Sequence, residues 1–215
     1  MGRELGRVVK DRVVVGVVGL PGAGKSTVAS LLASRGARLL DADRLGHDLL
    51  EKGSEEYRRV VDLFGGQILA EDGSIDRDRL GRLAFENRVF LEGLNGIVHP
   101  GMIDAIRCEI ARHRQGKGGP ESVLAIDAAL LVEWGLGDEV DVLVGVMAPL
   151  ELRTQRLNSL RGWTVGQLQQ REEAQWSEER KMAGITVLVA NTGTMDDLDD
   201  QVSRLWQSLP GRTTM

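Results

Sequence analysis

The sequence predicts an α/β fold: a five-stranded parallel sheet flanked by helices, with an inserted helical lobe and a late polar lid. Three observations carry that expectation. Short apolar runs recur at 13–18, 38–40, 123–126, 140–147 and 185–190, each the length of a strand buried on both faces. Helical periodicity fills the intervals between them, as parallel strands require, because a parallel pair must be joined by a crossover. The first run also passes through a glycine-rich turn directly into a helical pattern at Val28, Leu31 and Leu32.

That turn is the most informative stretch of the chain. From Val13 to Thr27 it reads VVVGVVGLPGAGKST, the spacing of a P-loop. Glycines at 19, 22 and 24 let successive backbone N–H groups wrap around a chain of phosphates at the positive end of the following helix. Gly22, Ala23, Gly24, Lys25, Ser26 and Thr27 are therefore expected to bind the nucleotide, with Lys25 reaching the β/γ-phosphates and Ser26 holding Mg²⁺. The core of this P-loop NTPase fold is expected over residues 13–43 and 121–209.

The remaining elements follow in order. After the first helix, Arg35-Gly36-Ala37 breaks the pattern and a short second strand ends in Asp41-Ala42-Asp43. In a parallel sheet the ligand crevice lies at the carboxyl ends of the strands, so these acids should face the P-loop's cleft. Residues 44–115 are mostly helical: Leu45, Leu49 and Leu50 mark one helix, and Tyr57, Val60, Val61 and Phe64 another that stops at Gly65-Gly66. A third runs over 75–87, and Pro100 suits the first turn of a fourth carrying Ile103, Ile106 and Ile110. So long a helical run exceeds a crossover and predicts a substrate lobe. Val123–Ile126 leads to Asp127, in the place of a strand-end acid that orders a Mg²⁺-bound water near Ser26. Beyond the fourth strand come a charged helix from Leu150 and a polar lid over 160–181. Apart from Trp163, Val165, Leu168 and Trp176 the lid has few apolar anchors, which predicts loose closure until nucleotide binds.

Composition narrows the function. A formal charge of −5 over 215 residues argues against a nucleic-acid partner held mainly by charge and favours a phosphate-rich small molecule. The single cysteine, Cys108, cannot form an internal disulfide; its helical neighbours predict a small buried hydrophobe in a reduced, cytoplasmic setting. Neither a signal-peptide core nor a run long enough to span a bilayer is apparent, so no membrane partner is expected. Residues 1–12 read as a charged extension.

A P-loop alone does not separate kinases from GTPases, ATPases and motors. No base-reading NKxD-like element or DxxG switch stands at a plausible place, whereas carboxylates after the second strand, a helical insertion and late arginines suit a small-molecule phosphotransferase. Three readings stay open on these grounds: a small-molecule kinase whose acceptor is a hydroxyl, another small-molecule or nucleoside monophosphate kinase, and a nucleotide-binding regulator with little turnover. Asp41 and Asp43, where a monophosphate kinase would carry arginines, weigh against the second.

Five further segments sharpen the choice. LLDADRLGHDLL at 39–50, DGSIDRDRLGRLAF at 72–85, IVHP at 97–100, LLVE at 130–133 and VANTG at 189–193 resemble, in order and separation, the dephospho-coenzyme A kinase family. The resemblance implies transfer of the γ-phosphoryl of ATP to the ribose 3′-hydroxyl of dephospho-CoA. It also implies that Asp43 takes or orients the hydroxyl proton, with Asp41 structural; that His99 serves the substrate lobe; and that Asn191 lies near the adenine of ATP. Arg77, Arg79 and Arg82 become candidates for the acceptor's diphosphate. The chain departs from the family at Ala129, where proline is usual, and in the lid. There the family's second arginine position holds Leu160, and Arg161 comes one residue later. On a continuing helix that shift turns a side chain by about 100°. Arg156 and Arg161 are both candidates to clamp the γ-phosphoryl, while Arg171 and Gln175 match the lid helix that covers the nucleotide.

Overall fold

The computed structural model describes residues 12–119 and 121–210. The elements run β1 (Val13–Val18), α1 (Lys25–Ser34), β2 (Arg38–Asp41), α2 (Ala42–Leu49), α3 (Glu55–Phe64), α4 (Arg77–Glu86), α5 (Arg88–Arg114) and β3 (Val123–Asp127). They continue as β4 (Val142–Met147), α6 (Leu150–Arg161), α7 (Val165–Glu173), α8 (Glu178–Met182), β5 (Val187–Ala190) and α9 (Met195–Ser208). Every strand pair is parallel and the order is β2-β3-β1-β4-β5. The chain leaves β1 toward one edge and later returns to its other side at β4. The end of β1 is thus the point where strand order reverses, the usual seat of a ligand in an open parallel sheet.

The central strands β1, β3 and β4 are buried on both faces, the outer strands β2 and β5 leave Leu39 and Leu188 exposed, and the two faces of the sheet make two cores. Val14, Val18, Leu40, Leu124 and Ile126 pack with the insertion's Val60, Phe64, Leu80, Met102 and Ile106. On the other face Val13, Val15, Val17 and Val144 meet Val28 and Leu32 of α1 and Leu198, Val202 and Leu205 of α9. The apolar side chains of α2–α5 therefore merge with one face of the sheet in a single cluster.

Two expectations need correction. Pro100 does not begin a helix: α5 runs unbroken from Arg88 to Arg114 with Pro100 inside it. An internal proline collides with the backbone four residues earlier. That residue is Gly96, with open space around the place a Cβ would occupy, while Ile97, Val98, Met102 and Ile106 are buried on both sides of the interruption. Cys108 is exposed, not buried. The buried stripe of α5 is Met102, Ile106 and Ile110, and a residue two positions past Ile106 is turned by about 200°, away from it.

Residues 1–11, and with them most of the charged extension, lie outside the described residues. Among the described residues no helix is long and apolar enough to cross a membrane.

Candidate active site

Strand register brings the acids together. Val17 of β1 stands opposite Asp127 of β3, and Asp127 stands opposite Asp41 of β2, so the loop after β1 and both strand-end carboxylates share one edge of the sheet. Asp41 is spent there as the N-cap of α2, its Oδ1 accepting from the N–H groups of Asp43 and Arg44 at 2.9 and 3.3 Å. Asp43, in the first turn of α2, keeps an exposed carboxylate that lines the cleft.

The P-loop is held by partners far away in sequence. Gly24, the N-cap of α1, has φ 100°, and a Cβ there would lie 2.1 Å from Nδ2 of Asn191. That Nδ2 donates to the Ala23 carbonyl at 2.8 Å, while Arg156 Nη2 donates to the Asn191 carbonyl oxygen at 3.0 Å and to its Oδ1 at 3.2 Å. Asn191 is 7 % exposed, so its amide braces the loop rather than standing open for a base. Gly22, at φ 79°, would place a Cβ 2.9 Å from the Arg153 carbonyl oxygen. Arg153 is itself buried, donates to the Ala148 carbonyl at 3.0 Å and pairs with Glu172 of α7.

Over the loop lies a cleft of about 820 Å³, within the range of small-molecule sites. Gly22, Gly24, Lys25, Ser26 and Thr27 form its floor, with Asp43 and Asp127 beside them. The insertion contributes Arg77, Phe85 and Asn95, and the later chain Arg156, Arg161, Trp163, Arg171, Gln175 and Asn191. Of the three arginines considered for the acceptor only Arg77 lines this space; Arg79 is paired with Asp76 at 2.9 Å. His99 does not line it. The ring sits in α5 edge-on to Trp134, with centroids 5.2 Å apart, and burial lowers its pKa.

Burial sets the charges of the loop region. Lys25 is half-buried, and desolvation pulls its pKa down against the raising effect of Asp127; Lys181 lowers it further, Asp43 raises it and Arg161 lowers it. Desolvation pushes Asp127 up, opposed by its hydrogen bond with the Ser26 hydroxyl and by Lys25. A half-buried carboxylate hydrogen-bonded to a hydroxyl is a hard oxygen donor set of the kind that suits Mg²⁺. Among the described residues no three His, Cys, Asp or Glu side chains gather into a metal cage.

The arm between α6 and β5 is better anchored than its sequence suggests. Leu168 is 1 % exposed, and Arg171 is sandwiched between the rings of Trp163 and Phe85, at 3.8 and 4.3 Å from their centroids. Burial lowers the pKa of Arg171, and Arg161 lowers it further. Lys181, near the end of the lid segment, is turned away from the cleft: it is fully buried and paired with Glu133 at 2.6 Å. Sequence reasoning missed the bracing by Arg153 and Glu133. A helical spacing of Arg153 to Arg156 and the glutamate of LLVE were the only signals.

A phosphate-cradling loop at the switch point of a parallel sheet, roofed by cations, defines a P-loop protein of the kinase type. The solved shikimate kinase from Acinetobacter baumannii shares that fold at TM-score 0.50 and 14% identity, covering 92% of this chain and 93% of its own. The chain belongs to the dephospho-CoA kinase family, whose model matches residues 13–197. It is 35% identical to the dephospho-CoA kinase of Thermobifida fusca over 92% of this chain and 96% of that protein. With the dephospho-CoA kinase of Syntrophus aciditrophicus it shares 37% identity over 91% and 82%. Among solved structures, TT1252 from Thermus thermophilus superposes with TM-score 0.72 at 31% identity, covering 93% of this chain and 99% of that one.

Proposed function

We propose that this chain transfers the γ-phosphoryl of ATP to the ribose 3′-hydroxyl of dephospho-CoA, giving coenzyme A and ADP in the cytoplasm. The observation that carries this reading is that a phosphate-binding loop and a carboxylate left free by its neighbour, Asp43, open on one cleft.

ATP lies with its phosphates along Gly22–Thr27, and Lys25 offsets charge on the β/γ oxygens. Dephospho-CoA enters from the side of α2–α5, its phosphates drawn to Arg77, with Phe85 and Asn95 on the wall. His99 serves that lobe from behind the wall, by packing. Asp43 accepts the proton as the hydroxyl oxygen bonds to phosphorus and the bond to the β-phosphate oxygen breaks. Arg161 meets the charge that develops on the transferring group, while Arg156 and Asn191 hold the loop that holds ATP. Ser26 and Asp127 would hold Mg²⁺, which supplies charge neutralisation at the phosphates. Residues 160–181 act as the lid over a core of 13–43 and 121–209, and 44–115 is the substrate lobe.

The test is Lys25→Ala. Its kcat is expected to fall by at least about 100-fold, some 2.7 kcal/mol of barrier, with an unchanged circular dichroism spectrum. Retention of more than about a tenth of wild-type kcat in a folded variant would remove the loop from the chemistry.

A further inference from the structure

The arm of residues 162–182 crosses from α6 to β5, and its last helix ends in a buried charge. Lys181 of α8 has no exposed surface, and its Nζ bonds both Oε1 of Glu133, at 2.6 Å, and the carbonyl of Ala129. The same Oε1 accepts the backbone N–H of Trp176 at 3.2 Å, so one carboxylate oxygen gathers two points of the arm. Glu133 belongs to the segment after β3, which starts at Asp127, places Ala129 and Leu130 on the cleft, and is fixed by fully buried Leu131 and Leu136. Lys181 itself does not line the cleft.

An ion pair in such a place is a poor means of stabilisation. Desolvating two charges consumes most of what their attraction returns, and apolar replacements of similar volume are often neutral or better. Burial accordingly pulls the pKa of Lys181 down while Glu133 raises it. What the pair offers over an apolar contact is direction, since the ammonium meets Glu133 Oε1 and the Ala129 carbonyl while the same Oε1 meets the Trp176 N–H only in one arrangement. That arrangement joins the segment bearing Asp127 to the arm bearing Arg171 and Gln175.

We propose that Lys181 is a positioning residue for phosphoryl transfer, tying the arm to the Asp127–Glu133 segment so that the two sides of the ATP site keep one geometry. The proposal rests on the kinase reading above. Lys181 touches no reacting atom; it acts through Glu133 and the Ala129 carbonyl.

Wild-type protein, Lys181→Met, Lys181→Arg, Glu133→Gln and the double variant Lys181→Met/Glu133→Gln are compared for melting temperature, kcat and KM toward ATP and dephospho-CoA. Lys181→Met should lose about 30-fold or more in kcat with KM for ATP changed less than about threefold, and Lys181→Arg should recover at least about a fifth of wild-type kcat. Because both singles break one unit, the double should be no slower than the worse single, not the product of the two losses. Wild-type kcat in Lys181→Met, with or without a lower melting temperature, overturns the proposal, as does a loss confined to KM. If Lys181→Met fails to fold, Glu133→Gln decides on the same criteria, and wild-type kcat there overturns it. An inactive wild-type protein overturns the kinase reading and this proposal together.

Discussion

Asp41 and Asp43 differ by two positions and do different work. Asp41 gives its Oδ1 to the first turn of α2, so Asp41→Ala should cost about 1 kcal/mol of stability, read by denaturant unfolding. Asp43 carries no such duty. Asp43→Asn should lower kcat by roughly 10² to 10⁴ with little change in melting temperature. An Asp43→Asn protein that melts early and turns over normally would mean that the carboxylate stabilises the helix and leaves the acceptor alone. The separation was partly legible in the sequence, because aspartate before a helix announces a cap. Asn191 was not legible in the same way. Its partner, the Ala23 carbonyl, is 168 residues distant, and an Asn-Thr-Gly turn gives no sign of such a reach.

Between β4 and β5 the elements sort the arginines. Arg161 is the last residue of α6, which Gly162 closes in the left-handed conformation at φ 65°, so the helix does continue through the one-residue displacement. Arg161 and Leu160, in the family's position, both line the cleft; Arg161 lies 5.2 Å from the ring centroid of Trp163, and Leu160, 80% exposed, brings no charge. Arg156 is committed to the carbonyl and amide oxygens of Asn191. Arg161→Ala should therefore lower kcat by about 10²-fold or more and change KM for ATP little, and Arg156→Ala should mainly raise KM for ATP and lower the melting temperature. The reverse pattern in steady-state kinetics would move the clamp to Arg156. The strand–loop–helix core, the helical insertion and the arm were readable as periodicity and punctuation. The continuity of α5 through Pro100 and the polar anchors of the arm were not, because both depend on contacts that only packing creates.

On the scale of the molecule, an acidic chain has concentrated its cations. Among the described residues five cationic side chains line the cleft, Lys25, Arg77, Arg156, Arg161 and Arg171, against the two carboxylates of Asp43 and Asp127, which reconciles a net charge of −5 with phosphate-rich ligands. His99 and His113 contribute to the acid limb of stability. Burial lowers His99 and His113 below the ordinary value of 6.5, and Arg12 and Arg38 lower His113 further. The unfolded chain then binds protons first, so stability is fully present above about pH 6.5 and falls as pH drops through the folded values, by at most about 1.4 kcal/mol per pH unit for each group. Urea unfolding of ligand-free protein should show this loss between pH 7.5 and 5.5, and His113→Gln should make it shallower; an identical loss in the variant would remove His113 from the account.

If one cleft brings ATP and the 3′-hydroxyl of dephospho-CoA together, the protein should discriminate sharply among acceptors, and a panel of acceptors measures this. With ATP and Mg²⁺, purified protein is offered dephospho-CoA, adenosine, AMP or gluconate, and ADP and the phosphorylated product are both measured. Coenzyme A and ADP should form in one-to-one ratio, and turnover with the other acceptors should be at least about 100-fold slower in kcat/KM, a difference of some 2.7 kcal/mol. Equal turnover of AMP or gluconate, or ADP formed without coenzyme A, would contradict that pairing of substrates.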